Sequence, residues 1–187
     1  MKRTSLLLIM ILVFGMWGYG QKIAVKTNAL YWATATPNLA LELGIGKRMT
    51  IDIGGGYNPF TFSNHRKWKH YLIEPEFRYW FCERFNGHFI GLHTGYMNYN
   101  VSKLPLLYSS DAKHYQYEGW LTGVGVSYGY QWILGGRWNL EAELGVGFIH
   151  TNYTKYNTGK CGKCLGKYKQ NYFAPTRAAI SIVYLIK

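Results

Sequence analysis

From about residue 22 onward, apolar side chains recur at every second position in stretches of about ten residues, and clusters of Gly, Asn, Lys and Arg separate the stretches. A period of two belongs to strands with one apolar face. Eight strands are predicted, over 22–32, 38–46, 49–58, 70–81, 87–98, 118–132, 137–151 and 173–186. The connections alternate in length. Those at Gly46-Lys47-Arg48, from Cys82 to Gly87 and at Gly135-Gly136-Arg137 are tight, whereas 59–69, 99–117 and 152–172 are long; the first link, Ala33 to Pro37, is short and breaks the alternation. Tight turns at one end and long loops at the other predict an all-β fold, an eight-stranded antiparallel up-and-down transmembrane β-barrel of the outer-membrane type.

The two faces of the strands differ in character. Leu39, Leu41, Leu43 and Ile45 alternate with Ala40, Glu42, Gly44 and Gly46, and Trp120 through Trp132 alternates large residues with Leu121, Gly123, Gly125, Ser127, Gly129 and Gln131. In the fourth stretch Tyr71, Ile73, Pro75, Phe77, Tyr79 and Phe81 share the apolar face, leaving Glu74, Glu76 and Arg78 on the other. Pro75 cannot donate to a ladder, and a closed sheet has no free edge, so a bulge is expected there. If the apolar face meets lipid, Glu42, Asp52, Glu74, Glu76, Glu141 and Glu143 point inward together with Lys26, Arg78 and Arg177. Buried charges persist when paired, so an interior ion-pair network is expected rather than an open pore.

Composition adds a compartment. Lys2 and Arg3 precede an apolar run from Leu6 to Trp17 that closes on Gly18 and Gly20, the pattern of a signal peptide. Residues 1–20 are therefore expected to be removed, leaving 21–187 as one outer-membrane barrel domain. No cysteine near Gly20 suggests a lipoprotein route. The chain carries 21 Lys and Arg against 9 Asp and Glu, and without Lys2 and Arg3 the balance is 19 to 9. Such a charge invites a nucleic-acid reading, but export and the absence of any recognisable binding motif argue against it. Tyr (17) and Trp (7) are abundant although no later segment is continuously apolar, a combination suited to aromatic belts at membrane interfaces.

Most remaining basic residues fall in the expected loops: His65, Arg66, Lys67 and Lys69 in the second, and Lys160, Lys163, Lys167 and Lys169 in the fourth. They form either a solvated surface or a surface for anionic lipopolysaccharide or polysaccharide. Cys161 and Cys164 lie three positions apart in the fourth loop. A loop disulfide is the favoured reading, because export passes an oxidising compartment; a redox pair, a metal site and free thiols are the alternatives. Cys82, in a turn at the opposite end, is expected to be unpaired. No catalytic residue, metal or cofactor is expected. His150 near Asn152 faintly suggests a lipid deacylase, but no serine follows two positions after the histidine, and Glu74 with Glu76 is better explained by Arg78 than by a sugar.

The stretches Lys26-Thr27-Asn28-Ala29-Leu30-Tyr31-Trp32-Ala33-Thr34-Ala35-Thr36-Pro37-Asn38, Gly55-Gly56-Tyr57-Asn58-Pro59, Glu76-Phe77-Arg78-Tyr79-Trp80, Gly87-His88-Phe89 and Ala174 to Ser181 together resemble a family of uncharacterised Bacteroidota outer-membrane proteins. The resemblance implies the barrel fold and the outer-membrane location, and it hints at fimbrial partners because such members often occur near fimbria-type genes. The expected function is a non-enzymatic barrel displaying basic extracellular loops to polysaccharide, lipopolysaccharide, fimbrial or host surfaces. A small barrel enzyme acting on lipid and a narrow channel are the alternatives.

Overall fold

The computed structural model describes residues 23–62, 66–102, 115–157 and 164–186, so the expected signal peptide lies outside the described residues. The strands are β1 (Ile23–Asn28), β2 (Asn38–Gly44), β3 (Met49–Asn58), the two-residue β4 (Thr61–Phe62), β5 (Arg66–Trp80), β6 (Gly87–Ser102), β7 (Tyr115–Gly135), β8 (Trp138–Asn157) and β9 (Cys164–Leu185). A single-turn helix α1 (Ala29–Ala33) joins β1 to β2. The order β3-β2-β1-β9-β8-β7-β6-β5, with β3 also paired to β5, closes eight antiparallel strands into a ring, and β4 adds a two-residue pairing on β5.

Alternation along each strand sets which side is filled. Val124, Val126, Tyr128, Leu144, Phe148 and Phe173 stand exposed on the outside, while Ser127, Gln131, Glu141 and Glu143 on the same strands are buried. On these strands the exposed side is therefore the apolar one and the buried side largely polar.

The tight turns rest on backbone chemistry. Gly135 (φ 123°) and Gly136 (φ 60°) take left-handed conformations that a side chain would strain, and they turn β7 into β8. Between β2 and β3, the Ile45 and Gly46 amides both donate to the Met49 carbonyl.

Three sequence expectations are corrected. The first strand was expected to reach residue 32, but β1 stops at Asn28. The Asn28 side chain caps α1 by accepting from the Leu30 amide at 3.0 Å, and in competition with an extended ladder that cap favours a helical turn. No bulge forms at Pro75: β5 keeps the same register on β6 before and after it, from Ile73↔Tyr96 to Glu76↔His93, with only the intervening rungs missing. The bulge lies at the other strand proline, where Gly145↔Arg177 is followed by Val146↔Pro175 and Thr176 is the extra residue. Finally, much of the expected loop sequence is strand. β5 to β9 continue well past the ring at the loop end as a tongue of sheet, because the polar and tyrosine residues at 115–117, 152–157 and 164–172 pair across strands without needing an apolar face.

Candidate functional site: the ring interior and its loop-end opening

From the turn end upward the interior begins with two layers, one apolar and one charged. Trp80, Phe85, Phe89, Ala24 and Val183 form an apolar plug at the turn end, with Trp80 and Phe89 rings 4.7 Å apart. At its polar edges Trp80 Nε1 donates to Thr50 Oγ1 at 2.9 Å and Asn139 Nδ2 to the Phe85 carbonyl at 3.0 Å, while the buried Gln131 amide has no protein partner.

Above the plug lies a charge layer with Arg78 at its centre. The Arg78 Nε donates to Glu76 Oε2 at 2.6 Å, Nη1 to Glu42 Oε2 at 3.1 Å and Glu141 Oε2 at 2.9 Å, and Nη2 to Glu143 Oε2 at 2.6 Å; Asp52 Oδ2 is 3.4 Å away. The guanidinium also stacks over Phe89, 4.4 Å from its centroid, which ties the charge layer to the plug. Lys26 Nζ reaches Glu42 at 2.8 Å, Asp52 at 3.0 Å and Glu141 at 3.3 Å. Arg177 reaches Asp52 at 3.0 Å and Glu143 at 2.8 Å, the latter contact lacking hydrogen-bond alignment, and approaches Glu74 at 3.9 Å. All nine charged residues singled out from sequence thus face one another inside the ring. Gly91 makes room for them: a Cβ there would overlap Glu76 Oε1 and Ser127 Oγ, which themselves hydrogen-bond.

The sequence did not point to the remaining interior polar groups. Thr50 donates to Glu42 Oε1 at 2.5 Å, and His93 Nε2 contacts Thr176 Oγ1 at 2.7 Å, a partner that the β9 bulge turns inward. His93 was detectable, since it lies in phase with Phe89 and Gly91 on β6. Tyr31 was not, because it hangs from α1 rather than from a strand. Its hydroxyl donates to Glu74 at 3.0–3.1 Å, and burial followed by the Glu74 charge pushes the phenol well above the ordinary tyrosine range, so it remains a donor. A void of about 30 Å³ beside Tyr31, bordered by Lys26, Asp52, Glu74 and Arg177, is large enough for one water next to the unpartnered Asp52 Oδ1.

The link that carries α1 is fixed by side-chain amides. Asn38 Oδ1 accepts from the Asn28 amide at 2.7 Å, and Asn58 Nδ2 donates to the Ala35 carbonyl at 3.1 Å, where Ala35 has φ 55°. Thr36 Oγ1 meets His70 Nε2 at 3.2 Å. These bonds pin the short first link across the loop-end opening.

On the outside, two rows of rings border the apolar band. Tyr71, Tyr96, Trp120 and His150 follow one another across β5 to β8 with centroids 6.2, 6.3 and 5.5 Å apart. Toward the turns lie His88, Tyr130 and Trp132, then Trp138 and Tyr184, with neighbouring centroids 4.5 to 4.8 Å apart. Beyond the first row the outward face becomes polar, with Lys69, Asn98, Asn100, Gln116, Glu118, Asn152, Thr154, Lys167 and Lys169 in phase. Lys67 Nζ approaches Gln116 Oε1 at 3.4 Å. Lys67, Lys69, Lys167 and Lys169, expected in loops, are thus strand residues of the tongue, and Arg66 opens β5. Lys160, Lys163 and His65 lie outside the described residues. The inner face of the tongue carries Tyr117, Tyr153 and Tyr168, with the Tyr153 ring centroid 5.6 Å from each of the other two.

The expected Cys161–Cys164 bridge involves a residue outside those described. Cys164 is a free, exposed thiol whose backbone is committed to the β9 ladder opposite Tyr156, and Cys161 lies outside the described residues. Cys82, in the β5–β6 turn, is also free and exposed. Among the described residues no group of three or more His, Cys, Asp or Glu is placed to hold a metal ion. His150 bonds Asn171 at 2.5 Å within the outer ring row.

No curated protein and no solved structure matches the chain. Residues 5–186 match a family described as protein of unknown function (DUF3575), and the chain belongs to that family.

Proposed function

We propose that the protein is an outer-membrane β-barrel, exported by a cleaved signal peptide, that serves as a non-enzymatic surface module. Its rigid barrel, closed across by the charge layer and the apolar plug, holds a basic tongue of sheet above the membrane, for contact with lipopolysaccharide, anionic polysaccharide or fimbrial components. The observation that carries this reading is the inversion of the fold: an apolar outer band between two rows of aromatic rings, around a buried ionic interior. On β7 the rows are marked by Trp120 and Trp132. At about 3.3 Å per residue that separation is ~40 Å along the strand, and with a tilt of about 40° the band stands ~30 Å tall, matching a hydrocarbon core.

Arg78, Glu42 and Asp52 are fully buried at the level of the ion pairs, which favours a closed barrel over a channel. The loss of the apolar face above Trp120, and the exposed Lys167 and Lys169 there, favour the basic tongue as the surface that meets partners.

Two thiols at opposite ends test the topology. A membrane-impermeant maleimide added to intact cells should label Cys164 without prior reduction, and should reach Cys82 only after the outer membrane is permeabilised. The protein should also migrate faster unheated than boiled on a detergent gel. Recovery in the soluble periplasmic fraction, with both thiols labelled alike, would end this reading.

Replacing Lys167 and Lys169 together by Glu should leave the gel shift intact while weakening binding to vesicles of purified lipopolysaccharide, most visibly at low salt. Equal binding by the double variant would remove the basic tongue from the recognition surface.

A further inference from the structure

Between the charge layer and the tongue the interior is not filled. A cavity of about 310 Å³ occupies the loop-end half of the ring, its sides formed by Leu72, Met97, Leu121 and Ile149, with Glu74 and His93 among its polar residues. That volume lies at the lower end of small-molecule sites, and the lining has their usual makeup of apolar walls with few polar groups.

The polar groups are short of partners in a particular way. Five of the six interior carboxylates have an ion pair at 3.0 Å or less: Glu42 at 2.8, Asp52 at 3.0, Glu76 at 2.6, Glu141 at 2.9 and Glu143 at 2.6 Å. Glu74, the one that borders the cavity, has only Arg177 at 3.9 Å and the Tyr31 hydroxyl. Six carboxylates face three cations among these described residues, so the layer carries a formal excess of three negative charges. His93 is 95 % buried; its Nε2 is taken by Thr176, and its Nδ1 has no protein partner. Along β7 and β8, the residues next beyond Leu121 and Ile149 on the inner face lead to Tyr117 and Tyr153, whose ring faces attract cations; on the same tongue Lys155 Nζ already sits 3.8 Å from the Tyr115 centroid.

We infer that this cavity is a binding site for a small organic cation, an ammonium group on an apolar body, with the ammonium against Glu74 and the body between Leu72, Met97, Leu121 and Ile149. An ammonium supplies the close cationic partner that Glu74 lacks and reduces the excess negative charge, while the body fills apolar space that water occupies poorly. A carboxylate ligand meets repulsion at the same place. The inference goes beyond the surface role proposed above and does not depend on what the outside of the ring contacts.

The test is a matched series on the purified, folded full chain by calorimetric titration: 4-phenylbutylamine, 4-phenylbutanol and 4-phenylbutyrate share one body and differ in charge. The amine should bind about tenfold tighter than the alcohol, with the acid weakest. Leu121→Trp, which fills the cavity, should abolish specific binding of the amine and alcohol and so separates it from uptake by detergent or lipid. Glu74→Gln should lower the amine to the affinity of the alcohol and leave the alcohol unchanged. Should Glu74→Gln fail to give the folded gel band, the ligand series on the unsubstituted chain decides alone. Equal affinity for all three compounds, binding that survives Leu121→Trp, or no binding by the folded chain overturns the inference.

Discussion

Replacing Arg78 by alanine should destabilise the protein by about 3–5 kcal/mol, read as a lower midpoint in a reversible urea titration. The guanidinium lies within 3.4 Å of Glu42, Asp52, Glu76, Glu141 and Glu143 and is wholly buried. Removing it strands carboxylates that cannot reach water and raises the formal excess of negative charge from three to four. The neighbours cannot compensate. Lys26 is a point charge already engaged with three of the acids, and Arg177 approaches from the loop side. Arg78→Lys should recover part of the loss, because one ammonium keeps the charge but cannot span four carboxylates as a planar fork does. An exposed control, Lys169→Ala, should stay within ~0.5 kcal/mol. An Arg78→Ala midpoint equal to that of the control would mean that the interior relaxes around the missing cation.

Val126→Arg should cost about 2–4 kcal/mol, although its side chain is 59 % exposed and touches no core. Val126 stands midway between Trp120 and Trp132 on the outward face of β7. In water such a change is near neutral, whereas at the centre of a hydrocarbon layer a guanidinium must be desolvated or must drag water and headgroups inward. Thr154→Arg, on the same face of β8 but in the polar tongue, should cost under ~1 kcal/mol because it lies above the band. The difference between the two, measured by urea unfolding in lipid vesicles, tests the membrane reading independently of localisation. Equal small effects would place both residues in water.

The strands and their faces were legible in the sequence because alternation is a local property. Once Leu39, Leu41 and Leu43 face one way, Ala40 and Glu42 must face the other, whatever the neighbours. The same argument put Glu74, Glu76 and Arg78 on one side and Tyr71, Ile73 and Phe77 on the other. Where polar and apolar alternation fades, so did the prediction: residues 99–102, 115–117, 152–157 and 164–172 read as loops, yet they pair as the tongue. Their hydrogen bonds come from strands that the ring has already aligned, and no periodicity records that alignment. The proline bulge was misplaced for a related reason. Pro75 loses only a donor that its neighbour β6 can forgo, while the shift at Pro175 turns Thr176 toward His93, a partner 83 positions away.

By itself, then, the chain determined eight strands, their antiparallel order, and which nine charged side chains share a side. Those follow from a period of two and from turns written in Gly, Asn and Arg. Only closure of the ring decided that Arg78 sits among five acids from four strands, that Glu74 is left with a weak partner, and that α1 swings Tyr31 over the opening. The reason is distance along the chain: Lys26 meets Glu141, and Arg177 meets Asp52, across 115 and 125 residues. Register and strand tilt bring such groups to 3.0–3.3 Å or leave a cavity between them, and these are fixed by the packing of all eight strands at once.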